Sequence, residues 1–272
     1  MARKWLLTIM ASLVLVVFTR AQSNSGHFHW VKGQVLHFRV EQTTKVTEVV
    51  GGKKVETGSR LNLVKRWEVQ EVDKGAATVR LSVTAMRHEQ QRPNGEVLRF
   101  DSTNPDKNTP ELREQMGKYI GQTLAILRVD GQGKVLEVLK GSANQYESDP
   151  PFVLRLPVEP LALGQAWERS YQITLDPPVG TGEKIPSLQK YQVTDLANGL
   201  ATIRMSTDLK MPGAVSERVP LLQKQPAGTI VFNIQAGRIQ SVDLHIEKEL
   251  QGHQGEGSSY RFVSSYKEQY AE

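Results

Sequence analysis

The 272-residue sequence contains no cysteine. This absence excludes disulfide bonds and a cysteine nucleophile. It also excludes an N-terminal residue that is lipid-modified through cysteine. A chain of this length can bury enough apolar surface to fold without covalent cross-links.

Long apolar runs are equally scarce. The longest, residues 5–18, is shorter than the roughly 20 residues that a membrane-spanning helix needs. It follows Arg3 and Lys4, and small residues then flank a cleavage site after Ala21. This pattern is typical of a secretory signal peptide. We therefore predict a signal peptide over 1–21 and a soluble mature chain, either periplasmic or secreted, with no transmembrane span.

A strong excess of one charge is also absent. The formal net charge is +5. Cleavage would remove Arg3, Lys4 and Arg20 but no acid, which leaves +2 on the mature chain. The remaining charges are interspersed and form no basic stripe. Nucleic acid is therefore not an expected partner.

Motifs for catalysis and metal binding are missing or incomplete. The sequence has no Gly-x-Ser-x-Gly nucleophile elbow. His27 and His29 could point to one face of a strand, with His37 nearby, but the other histidines are scattered and a metal site needs three or four converging ligands. Glu247 and Glu249 alternate with lysine, as on a solvated face. No catalytic residue, metal site or cofactor is predicted, and an enzyme is the less favoured interpretation.

What the sequence does contain is period-two alternation of apolar and polar residues, which predicts β-strands. Leu36, Phe38 and Val40 alternate with polar residues, and Gly51 and Gly52 then supply a hairpin turn. Similar runs surround Trp67, Val79, Leu244 and Phe262. The mature chain is therefore predicted to be mainly β.

One segment, residues 109–121, breaks this pattern. Thr109 can cap a helix, Pro110 suits its first position and Gly121 can end it. The apolar residues of the segment recur at helical spacing. Two interpretations stay open: the apolar stripe packs on a sheet, or the helix covers an apolar cavity. In the second, the candidate lining residues are Trp67, Leu112, Met116 and Ile120.

The stretch VDGQGKVLEV, residues 129–138, offers three interpretations. A phosphate-binding loop requires a further glycine where Arg128 stands, and a helix instead of the strand-like residues that follow. A calcium loop requires more oxygen ligands than Asp130 and Glu137. Asp-Gly between alternating runs favours a hairpin turn.

The chain also resembles itself. Residues 67–83 align without gaps with residues 191–207, and two weaker likenesses occur in the same order around them. We predict a first β repeat with a short helix over 27–145, a proline-rich seam over 146–160 and a second β repeat over 160–272. The predicted fold is mainly β: two duplicated antiparallel meanders in a barrel-like or half-barrel sheet, with one short amphipathic helix at about 110–120. A closed barrel and two packed sheets both remain open.

The turn and packing residues resemble those of an uncharacterised family of exported bacterial proteins. The matching elements are Gly33 to Arg39, Trp67 to Val79, Asp130 to Val135, Leu156 to Trp167 and Gly228 to Ile239. The resemblance implies a fold and an exported location, but no activity or site residues. The architecture is also similar to that of envelope lipid-carrier proteins.

Three functions follow as hypotheses. The first is an exported, non-enzymatic envelope protein that binds or carries an apolar small molecule or lipid. The second is a structural or protein-interaction component of the envelope. The third and least favoured is a hydrolase whose site the sequence does not reveal.

Overall fold

The computed structural model describes residues 26–141, 154–175, 182–210 and 218–272. The predicted signal peptide and the first part of the predicted seam lie outside these residues. The strands are β1 (Val35–Val50), β2 (Lys53–Asp73), β3 (Ala76–Gln91), β4 (Val97–Asp101), β5 (Thr123–Val129), β6 (Val135–Lys140), β7 (Ala166–Leu175), β8 (Glu183–Ala197), β9 (Leu200–Leu209), β10 (Ala227–Asn233), β11 (Arg238–Gln251) and β12 (Ser259–Ala271).

These strands form one antiparallel sheet in the order β6-β5-β3-β2-β1-β12-β11-β10-β9-β8-β7, and β4 pairs with β3. The prediction of a mainly β protein is confirmed. The alternatives of a closed barrel and of two packed sheets are wrong for the described residues, because β6 and β7 form the two edges of a single open sheet. The C-terminal strand β12 lies at its centre, between β1 and β11.

The sheet curves strongly, and a strap of residues near the N-terminus fixes the curvature. The Phe28 amide donates to the Gly131 carbonyl at 2.7 Å, and the His29 amide donates to the Gly237 carbonyl at 2.9 Å. Gly131 lies in the β5–β6 turn and Gly237 in the β10–β11 turn. In a flat sheet β5 and β10 would lie roughly 29 Å apart. Two consecutive residues can contact both turns only because the sheet curls and gives a concave face.

The main core fills one end of this concave face. Alternate residues of β1, β2, β3, β5 and β8–β11 point into it, as the period-two pattern predicts. The end of the seam joins them: Leu154, Leu156 and Leu161 are buried, and the Leu156 amide donates to the Gln132 carbonyl at 2.9 Å. The largest fully buried side chains here include Leu127, Ile203, Met205, Ile230 and Phe232.

The stretch at residues 129–138 is a hairpin, as predicted. Asp130 Oδ1 accepts the backbone amides of Gln132 at 2.9 Å and Lys134 at 2.7 Å. Gly133 has φ +85°, and a Cβ there would lie 2.8 Å from the Leu154 carbonyl oxygen. The aspartate and the glycine therefore shape the β5–β6 turn and its contact with the core.

Two short helices lie against the concave face. Helix α1, Pro110–Gly117, confirms the predicted helix. Its Leu112 packs in a second cluster with Val83, Met86 and Phe100. Helix α2, Val219–Leu222, was not predicted, and its Leu221 packs against Tyr171 and Ile173 in a third cluster.

The predicted duplication has local counterparts in the backbone but stays a prediction. The β2–β3 pair and the β8–β9 pair each contain a register shift, between Val69 and Glu71 and between Val193 and Asp195. These positions correspond in the sequence alignment. The β2–β3 and β8–β9 turns also both have two consecutive residues with positive φ.

Candidate functional site

A pocket of about 440 Å³ opens on the concave face at the centre of the sheet. Strands β1, β2, β11 and β12 form its floor, and residues 223–226, after α2, form one side. Its apolar lining comprises Val40, Leu61, Leu63, Leu244, Ile246 and Phe262. The main core fills the neighbouring end of the concave face. The pocket lies beside it, on the part of the same face that core side chains do not cover.

The sequence of β1 explains this transition. Leu36 and Phe38 point into the core and are 4% exposed. Val40 follows on the same face and is also buried, and after it Gln42 and Thr44 are polar and line the pocket. A strand whose inner face changes from apolar to polar cannot continue a dry core, because buried polar groups need partners. The concave face therefore stays open above Val40.

Lys65, Tyr266 and Glu268 form a buried polar cluster at the pocket floor. Lys65 Nζ donates to Glu268 Oε2 at 2.8 Å and to the Tyr266 hydroxyl at 2.7 Å. The Tyr266 hydroxyl in turn donates to Glu268 Oε2. Lys65 and Tyr266 line the pocket, whereas the Glu268 side chain is fully buried behind them. The cluster therefore presents a positioned ammonium and a phenol to the pocket.

The sheet register brings these residues together. On β1, Val40 lies opposite Glu268 of β12 on one side and Leu63 of β2 on the other. Lys65 is two residues after Leu63 on the same face, so its side chain crosses β1 diagonally to reach the carboxylate. The contact exists only because β1 and β12, the first and last strands along the sequence, are neighbours in the sheet.

A second buried polar row crosses β7, β8 and β9 on the same face. Arg169 lies opposite Gln189, and Gln189 lies opposite Thr207. Gln189 Oε1 accepts the Tyr191 hydroxyl at 2.7 Å, while Gln189 Nε2 and Thr207 Oγ1 have no hydrogen-bond partner in the described part of the chain. Burial raises the pKa of Tyr191 to about 12.

The four residues predicted to line a cavity do not line this pocket. Trp67 lies in the main core, where it is 7% exposed and borders a small space of about 30 Å³. Leu112, Met116 and Ile120 pack together in the α1 cluster. The structure therefore brings three of the four together and separates them from Trp67. Beneath α1, these side chains pack with Val83, Met86 and Phe100 of the sheet.

Sequence reasoning missed Lys65 and Glu268, although a signal was present. By alternation along the strand, Lys65 falls on the same face as Leu61, Leu63 and Trp67, and Glu268 falls on the same face as Phe262 and Tyr266. A charged residue on an otherwise apolar strand face predicts a buried charge. Its partner could not be found, because the two residues are 203 positions apart.

Other titratable groups, such as His253 and His88, lie outside the pocket. In the described ranges, no three His, Asp or Glu side chains lie close enough together to hold a metal ion. His253 Nε2 lies 2.8 Å from Glu48 Oε1, far along β1 from the pocket, where it holds the β11–β12 turn against the sheet. Burial lowers the pKa of His88 below its ordinary value.

Within the described residues, no helix is long and apolar enough to span a bilayer.

Comparisons with known proteins give distant likenesses of fold. No protein-family model matches the chain, and no curated protein matches it. Among solved structures, one of lipovitellin, described as showing lipid–protein interactions, aligns with a TM-score of 0.45 and 13% identity over 90% of this chain and 26% of the other. An outer membrane channel from Pseudomonas putida F1 aligns with a TM-score of 0.20 and 7% identity, over 90% of this chain and 97% of the other. The chain thus spans about a quarter of lipovitellin. It is a β-sheet protein with a distant likeness to lipovitellin, its family is not assigned, and the family resemblance seen in the sequence stays a prediction.

Proposed function

We propose that this protein binds an amphiphilic small molecule, one with an apolar part and a polar head, in the central pocket of the concave face. The observation that carries the proposal is the pocket itself. It combines a volume of about 440 Å³ and a mixed lining of apolar and polar side chains with a preformed cluster of Lys65, Tyr266 and Glu268. Small-molecule sites typically have volumes of about 300–1,000 Å³, mostly apolar walls and a few positioned polar groups.

The energetics favour a ligand of this kind over a purely apolar one. Transfer of apolar area from water to the walls contributes about 25 cal/mol per Å². An apolar molecule placed against Lys65 and Tyr266 would remove water from them without replacing its hydrogen bonds, which is unfavourable. A molecule with a polar head at that side avoids this cost.

The arrangement gives less support to the hydrolase hypothesis. Glu268, the carboxylate nearest the pocket, is fully buried and is bonded to Lys65 and Tyr266. It cannot reach a substrate atom in the pocket without breaking that cluster. We therefore favour a non-enzymatic binding or carrier function.

A protein-interaction function is the second candidate, and the open edge of the sheet favours it. Strand β6 is an edge strand, and its Leu136 and Leu139 are 48% and 54% exposed. Edge strands offer backbone groups for pairing with another chain. Cross-linking in the native envelope tests this candidate, and recovery of the uncross-linked protein alone would remove it.

A pair of adjacent substitutions on β1 tests the binding proposal. Thr44 lines the pocket, whereas Thr43 is exposed on the opposite face of the same strand. Thr44→Trp should fill the pocket and weaken binding of dodecanol and dodecanoic acid by about tenfold or more. The matched control Thr43→Trp should bind like the unmodified protein in calorimetric titrations.

Two results would overturn the proposal. One is the absence of saturable binding of either probe. The other is equal binding by the folded Thr44→Trp and Thr43→Trp variants, which would place any binding elsewhere on the molecule.

We further propose that the chain is exported and that the binding protein works outside the cytoplasm. The support is the sequence pattern over residues 1–21. The N-terminal sequence of the protein recovered from its native cells should begin at Gln22. A mature chain that retains Met1 to Ala21 would contradict export by this route.

A further inference from the structure

The central pocket is lined by charged side chains as well as apolar ones. We infer that the pocket selects amphiphiles with an anionic head group, a carboxylate or a phosphate, and that Lys65 is the residue that recognises the anion. This inference rests on the proposed function and names the class of its ligand.

The charged side chains that line the pocket are lysines. Its lining includes two lysines, Lys65 and Lys224, and none of its described lining residues is Asp or Glu. Glu268 pairs with Lys65 and offsets its charge, so the net positive charge of the lining comes from Lys224. The Glu268 side chain is fully buried, whereas the Lys65 side chain keeps 12% exposure. A ligand in the pocket therefore meets ammonium groups and no carboxylate. Charge complementarity favours an anion.

Neighbouring side chains hold the Lys65 ammonium in place. Lysine is a flexible point charge, and fixing it usually costs side-chain entropy. Here Glu268 and Tyr266 hold Nζ at 2.8 and 2.7 Å before any ligand arrives. The ordering cost is therefore met in the folded protein, and a head group gains a preorganised cation.

Apolar side chains of the pocket lie beside the Lys65 ammonium. Lys65 lies on the same face of β2 as Leu61 and Leu63, and Leu244 lies opposite Tyr266 on β11. A head group at Lys65 therefore has apolar surface beside it for an alkyl chain. Lysine binds carboxylates and phosphates through charge-assisted hydrogen bonds, so both anions fit this site.

Three probes with one alkyl chain test the inference. Dodecanoic acid, dodecyl phosphate and dodecanol are titrated into the full protein at a pH where the acids are ionised. At least one of the two acids should bind about tenfold or more tightly than dodecanol, because a hydrogen bond to a charged group is worth about 1.5–3 kcal/mol. The stronger of the two acids identifies the anion as carboxylate or phosphate.

Variants then locate the preference. Lys65→Met/Glu268→Gln removes both charges of the pair together and should remove most of the preference of the acids over dodecanol. Lys267→Met, on the same strand as Glu268 but exposed on the convex face, should keep the full preference. If the double variant does not fold, Lys224→Met is measured instead. It should reduce the preference for the acids over dodecanol about threefold or more.

The failures are distinguishable. If dodecanol binds as tightly as both acids, the anion inference is overturned while the proposed binding function stands. If the preference persists in the folded double variant, the assignment to Lys65 is overturned. If none of the probes binds saturably, the proposed function fails and the inference fails with it.

Discussion

At the residue scale, Lys65 and Glu268 occupy positions where strand alternation predicts apolar side chains. Both charges are largely removed from water, the lysine side chain to 12% exposure and the glutamate side chain to 0%. Desolvation of two ions can cost as much as their attraction returns. The pair is therefore better explained by a function at the pocket floor than by stability alone.

This explanation predicts an asymmetric mutational response. Lys65→Met should lower the free energy of unfolding by about 3–5 kcal/mol, because the Glu268 carboxylate is left buried without its cation. Lys65→Met/Glu268→Gln should recover most of that loss. Urea unfolding of the two variants measures both quantities. A single variant as stable as the unmodified protein would show that the pair is more exposed than its geometry indicates.

Tyr191 gives a prediction about alkaline pH. Burial raises its pKa to about 12, from an ordinary value of 10.0. Between these two values, the unfolded chain loses the phenolic proton and the folded protein keeps it. The free energy of unfolding should therefore fall as the pH rises through this range, by about 2–3 kcal/mol in total.

Tyr191→Phe is the matched variant for this effect. It keeps the ring stacked on Trp167 and removes the group that ionises. Its stability should fall less steeply with pH above about 10 than that of the unmodified protein. Parallel slopes for the two proteins would show that Tyr191 does not titrate in this way.

At the element scale, helix α1 is a packed cover for its own part of the sheet. Leu112 is 1% exposed and contacts the cluster that contains Met86 and Phe100. Leu112→Ala should lower the free energy of unfolding by about 2–5 kcal/mol. It should leave the affinity for dodecanoic acid unchanged, because Leu112 does not line the central pocket.

The exposed residue Gln115 on the same helix provides the control. Gln115→Ala should change stability by no more than about 0.5 kcal/mol. If Leu112→Ala instead weakened ligand binding without loss of stability, the helix would have to line the binding site after all. Thermal unfolding and calorimetric titration of both variants separate these cases.

The elements also show how far sequence reasoning could reach. Alternation located β1, β2 and β3, and the cap residues Thr109 and Pro110 located α1, because these signals are local. Helix α2 escaped because four residues are too few to show a helical period. The pocket escaped because it depends on β12 lying beside β1, which is a contact between the two ends of the sequence.

At the scale of the whole molecule, the sheet joins both predicted repeats into one body. Strand β12 pairs with β1 from His37↔Ala271 to Val49↔Ser259. The main core contains residues of β2, β3 and β5 together with residues of β8, β9 and β10. Neither half can lose its structure without exposing apolar surface of the other.

We therefore expect the protein to unfold in one cooperative transition. Calorimetric and van't Hoff enthalpies of unfolding should agree, and fluorescence and circular dichroism should report one midpoint. Two separated transitions would show that residues 27–145 and 160–272 unfold independently. This result would contradict the expectation that the shared core makes them unfold together.

The central claim is that the concave pocket holds an amphiphile, and photo-labelling tests it most directly. A dodecanoic acid that carries a diazirine on its chain is bound to the full protein, irradiated, and located by peptide mass spectrometry. Our account predicts saturable labelling of pocket residues such as Val40, Leu61, Leu244 and Phe262, with competition by unlabelled dodecanoic acid and loss in Thr44→Trp. Labelling that is confined to the convex face, or that does not saturate, would contradict it.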